Sequence, residues 1–184
     1  RELLQHTRQL KVISTNLEKK IKAELSRLQK DDAEKYEKFW NAFGRNIKYG
    51  VVSDYGVHKD LLLDLLMFHS SHDDKLTSLA QYKERMAEDQ EFIYYAVGED
   101  TGKLSKLPQA ERILDKGYEI LYLTEDVDEF CMQTIGEYEG KKLKSIDDED
   151  ALPESEEEKK AAEEKAEEAK DVLSFLKETL GNKI

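Results

Sequence analysis

The sequence predicts a mixed α/β chain: a helical coil, then a small three-layer αβα unit, then an acidic helical or flexible segment. Three observations carry that expectation. Apolar residues at helical spacing fill the first third. The middle alternates short β-type runs with short amphipathic stretches. Residues 147–170 hold 12 acidic and 4 basic side chains, a net of −8 out of −12 for all 184 residues. The divisions expected are 1–76 for a helical connector, 77–146 for the αβα unit, and 147–184 for the acidic segment with the start of a further domain.

Leu10, Ile13, Leu17, Ile21, Leu25 and Leu28 step by three or four residues and so share one helical face. Asp31 and Asp32 interrupt, and Asp31 followed by Glu34 resembles a cap for a second helix. That helix carries Tyr36, Phe39, Trp40, Phe43 and Ile47, with Gly50 as its expected stop. A leucine-rich third helix is expected over 59–68.

The pattern then changes. Ser78-Leu79-Ala80-Gln81 reads as a capping box opening a short helix through Met86. Phe92 to Val97 is a β-type run. Pro108 suits a first helical turn, Ala110, Ile113 and Leu114 form its stripe, and Gly117 ends it. Glu119 to Leu123 reads as a second strand, Asp126 to Ile135 as a helix, and Leu143 to Ile146 as a third strand. Strand–helix–strand alternation implies parallel pairing with right-handed crossovers. In the helix from Asp126, residues Val127, Cys131 and Ile135 should face the sheet, leaving Phe130 and Met132 partly exposed beside Glu129. Farther on, Val172, Leu173, Phe175, Leu176 and Leu180 form an amphipathic stripe.

Composition excludes several function classes. A net charge of −12 repels nucleic acid and anionic membrane. The longest apolar runs are a few residues, so no helical membrane span is expected. One cysteine, Cys131, permits no internal disulfide and favours a reducing, cytoplasmic compartment. No signal peptide is expected, and a chain starting at Arg1 without Met is expected to be a piece of a longer protein. His69-Ser70-Ser71-His72-Asp73-Asp74 has metal-ligand residue types but reads as an exposed loop, and no metal is expected. Gly98-Glu99-Asp100-Thr101-Gly102 follows a strand, yet its two acids would repel phosphate. Cys131 reads as a small core residue rather than a nucleophile.

Several runs together resemble one family. They are Arg1-Glu2-Leu3-Leu4-Gln5, then Phe39-Trp40-Asn41-Ala42-Phe43-Gly44-Arg45-Asn46-Ile47-Lys48-Tyr49-Gly50, then Ser78 to Met86 with Ile93-Tyr94-Tyr95 and Gly98-Glu99. Lys116 to Leu123, Val127-Asp128-Glu129-Phe130 and Glu139-Gly140-Lys141-Lys142-Leu143 complete the set. In order, over residues 1–146, these are similar to the heat shock protein 90 family of molecular chaperones, its bacterial branch in particular.

The resemblance implies an ATP-dependent chaperone that is a homodimer at full length and acts on client proteins. It implies a piece covering the C-terminal part of the middle domain and the start of the C-terminal dimerisation domain. ATP and Mg²⁺ would be bound mainly by an N-terminal nucleotide domain absent here, and the chain alone would be inactive. Arg1 would reach the γ-phosphate from that domain's neighbour, with Gln5 helping to position it. Glu129, Phe130 and Met132 would contribute to client contact. The alternative function is a non-catalytic interaction scaffold.

Overall fold

The computed structural model describes residues 7–53, 55–57, 59–73, 75–148 and 150–152. Arg1, Gln5, most of the acidic segment and the Val172–Leu180 stripe lie outside the described residues. The account below concerns residues 7–148, one compact unit.

Two long helices come first. Helix α1 spans Arg8–Asp31 and α2 spans Ala33–Val52. The junction is capped by Asp32 rather than Asp31: its side chain accepts the N–H of Lys35 at 3.2 Å, one residue later than the sequence suggests. Gly50 does not stop α2. It lies inside the helix, where a Cβ would meet Leu62 Cδ1 at 3.1 Å, so its role is close packing. Helix α3, Lys59–Leu62, is followed by a 3₁₀ turn at Leu63–Leu65. The third helix expected over 59–68 therefore stops early. Strand β1, Met67–Ser70, follows at once. Tyr36 on α2 donates its phenol to the Leu65 carbonyl at 2.5 Å, tying the turn to the helical layer.

The sheet is larger than expected. Besides β3 (Phe92–Val97), β4 (Ile120–Leu123) and β6 (Lys141–Ser145), it includes β1, β2 (Leu76–Ser78) and β5 (Glu137–Tyr138). The spatial order is β2-β1-β4-β3-β6-β5. Strand β3 pairs in parallel with β4, Tyr94 opposite Ile120, and with β6, Ile93 opposite Leu143. The remaining pairs are antiparallel. His69 to Asp73 is thus a strand end and a tight turn, not a free loop: Ser70 is buried and hydrogen-bonded to Glu119.

The helices between strands are α4 (Leu79–Arg85), α5 (Thr101–Leu104), α6 (Pro108–Asp115) and α7 (Asp128–Ile135). The path from β3 to β4 moves one way across the sheet, and the path from β4 to β6 returns over β3. Right-handed crossovers then put α6 and α7 on opposite faces. All four residues of β4 are buried, as a strand covered on both faces requires. Helix α7 is sandwiched, packing on β6 and on α2. The core joins Tyr36, Trp40 and Val51 of α2 to Phe68, Ile93, Leu121, Cys131 and Ile135.

Candidate functional site

The site of interest is α7 with what holds it. Its eight residues divide by burial into two faces. Cys131 and Ile135, with Val127 before the helix, are almost fully buried, as the sequence pattern requires of a sheet-facing stripe. Glu129 and Gln133 face solvent and are joined side chain to side chain at 3.3 Å. Phe130 is 59% exposed.

Met132 differs from expectation. It is 1% exposed. The physical reason is the second neighbour of α7. A helix packed only on a sheet buries one stripe, but α7 also packs on α2. Asp128 and Met132, four residues apart, form the stripe that this second contact buries.

Asp128 is the group the sequence reading missed. It is 1% exposed, and so is nearly the whole of its partner, Lys48 of α2, at 4%. The Lys48 ammonium lies 2.5 Å from Asp128 Oδ1 and 2.8 Å from Glu125 Oε2. Oδ1 has that charge contact and no aligned hydrogen bond, while Oδ2 accepts the Glu125 N–H at 3.1 Å. The ammonium also sits 5.0 Å from the Phe68 ring centre and 5.6 Å from that of Trp40. Burial raises the Asp128 carboxyl above the ordinary range, and the Lys48 charge opposes that rise. A buried charge left alone would cost several kcal/mol, so the lysine, two acids and two rings form one unit. The only local signal is an apolar pattern broken by Lys48 and Asp128; their meeting depends on the fold.

At the opposite end of α7 a second lysine arrives. Lys59 of α3 donates to the carbonyls of Thr134 and Ile135 at 3.3 and 3.1 Å. Those are end carbonyls without partners inside the helix. Gly56, with φ +80°, precedes it; a Cβ there would lie 2.9 Å from Thr134 Cγ2, so the loop needs glycine to pass.

Cys131 carries no nucleophile chemistry here. Burial pushes its thiol up to about 12. The turn after β3 does not fit a phosphate. In it the Asp100 side chain already accepts the Lys103 N–H at 2.8 Å, and α5 is one turn long. Among the described residues no group of His, Cys, Asp and Glu could hold a metal ion, and no helix is long and apolar enough to cross a membrane.

A family model described as Hsp90 protein matches residues 1–184. The chain is 54% identical over all 184 residues to chaperone protein HtpG of Clostridium perfringens, and 49% identical to that of Bacillus subtilis. In each case it spans 29% of the relative's length. Among solved structures it resembles the middle domain of a Plasmodium falciparum heat shock protein. The TM-score is 0.71 at 29% identity, covering 78% of this chain and 60% of that one.

Proposed function

We propose, from the premise that this chain belongs to the Hsp90 family, that it is the client-handling and ATPase-completing part of a longer ATP-dependent chaperone. The observation that carries the client half is Phe130. A large aromatic ring lies 59% exposed on a helix whose other apolar residues are buried. Complete burial of such a ring is worth about 1.5–3 kcal/mol, and more than half of that is forgone here. Beside it Glu129 supplies a carboxylate, a pairing suited to unfolded segments that mix apolar and basic side chains. Glu129 and Phe130 are the proposed client contacts; Met132, being buried, is not one of them.

The ATPase half rests on Arg1 and Gln5. Hydrolysis of ATP builds charge on the γ-phosphate oxygens, which a forked guanidinium stabilises and a lysine ammonium matches less well. Supplied from a different domain, that group makes hydrolysis conditional on docking. ATP and Mg²⁺ belong in this reading to the nucleotide domain, and dimerisation to the C-terminal domain. The working compartment is the cytoplasm.

Two substitutions in the full-length protein test the halves separately. Phe130→Ala should weaken binding of an unfolded polypeptide without altering kcat for ATP. Arg1→Ala should lower kcat at least about tenfold, about 1.4 kcal/mol of barrier, with nucleotide affinity nearly unchanged. Unchanged kcat in the second variant would leave an interaction scaffold as the better account.

A further inference from the structure

Helix α7 is fastened at both ends by lysines from the helical layer. At its start Lys48 of α2 meets Asp128 and Glu125. At its finish Lys59 of α3 caps the Thr134 and Ile135 carbonyls. A third cation, Arg45 of α2, stands 3.6 Å from Asp126 just before the helix. The polarity matches the helix dipole: Asp128 and Glu129 occupy the first turn, and the lysine sits at the last carbonyls.

An eight-residue helix has little stability of its own and takes its orientation from its contacts. An apolar stripe fixes which side faces inward but tolerates rotation and sliding, since dispersion contacts are numerous and non-directional. Charged hydrogen bonds are directional and short. The Lys48–Asp128 ion pair at one end and the Lys59 hydrogen bonds to the Thr134 and Ile135 carbonyls at the other together constrain both the rotation and the tilt of the helix. The side chains that this orientation aims outward are Glu129 and Phe130.

We propose that Lys48 and Lys59 are positioning residues for the outward face of α7, so that Glu129 and Phe130 follow the helical layer rather than the sheet alone. This rests on the reading of that face as the client surface. A displacement of α2 and α3 would then turn the client surface directly, through two fixed polar anchors. Neither lysine touches the client.

The test uses the full-length protein and, as client, reduced carboxymethylated lactalbumin, which is permanently unfolded. Lys59→Met removes the ammonium and keeps the apolar stem. Lys59→Arg restores a cation. Lys48→Met paired with Asp128→Asn removes the buried charges together, because Lys48→Met alone would strand Asp128. Client affinity, melting temperature and amide exchange across 128–135 are measured for each. Lys59→Met and the double variant should each weaken client binding about tenfold, the scale of one charged hydrogen bond. Exchange should speed up in α7 while β3 stays protected, and Lys59→Arg should recover most of the loss. A general loss of stability would instead speed exchange in β3 as well, and that result overturns the proposal. So does unchanged affinity in both variants when Phe130→Ala loses it, which leaves the client surface standing without its anchors. If Phe130→Ala binds the polypeptide normally, the client reading falls. Positioning then rests on α7 exchange alone, and unaltered exchange there overturns it.

Discussion

The phenol of Tyr82 holds the backbone of Tyr94. Its oxygen accepts the Tyr94 N–H at 3.0 Å and the Gln90 side-chain amide at 2.9 Å, while its own proton goes to the Glu119 carbonyl at 2.5 Å. Tyr82 is fully buried on α4, so a single oxygen joins that helix to β3 and to the entry of β4. Tyr82→Phe keeps the ring and strands these partners. An unsatisfied buried group costs about 1–3 kcal/mol, so denaturant unfolding should show a loss in that range, with the slope unchanged.

Cys131 offers a pH test. Its thiol is raised to about 12 by burial, from an ordinary value near 9. The folded state therefore holds the proton more tightly than the unfolded state does. The stability this contributes is fully present below about pH 9, the unfolded thiol's value, and is lost as the pH climbs towards 12. Native protein should resist iodoacetamide at pH 7 and at pH 9, and denatured protein should be alkylated readily at pH 9. Rapid native alkylation at pH 9 would show that the thiol is reachable and ionised.

Gly44 sets two effects against each other. Replacing a helix-interior glycine by alanine gains about 1 kcal/mol of propensity. A Cβ at this site would lie 2.6 Å from Trp40 Cε2 and 2.7 Å from Cδ2, inside contact distance of a rigid ring that is 6% exposed. Overpacking of that kind costs about 1–3 kcal/mol, so the clash should win. Gly44→Ala should lower the melting temperature by a few degrees and perturb Trp40 fluorescence.

What the sequence revealed was local. The capping box of Ser78 and Gln81 forms as its spacing demands, with Ser78 Oγ accepting the Gln81 N–H at 3.2 Å and Gln81 returning the bond at 3.0 Å. Strand β3 starts at Phe92 and ends at Val97, as its run of β-formers indicates. Pro108 opens α6, where its missing N–H costs nothing. Strands β1 and β2 escaped notice because the leucines before Phe68 look helical, and strands of four and three residues offer too short a period to oppose them. Met132 was misplaced for want of one fact, that α2 covers α7. The meeting of Lys48 with Asp128 has no local cause at all; it is a property of two elements brought together by the sheet.

The sheet ends in very short strands. The outermost members, β2 and β5, have three and two residues. An extended polypeptide seeking to add itself as a further strand finds almost no open ladder at either border. Such short border strands limit recruitment of this sheet into the aggregates of other chains. On the proposed reading of Glu129 and Phe130 as client contacts, attachment would then go through side chains that can release rather than through a backbone ladder.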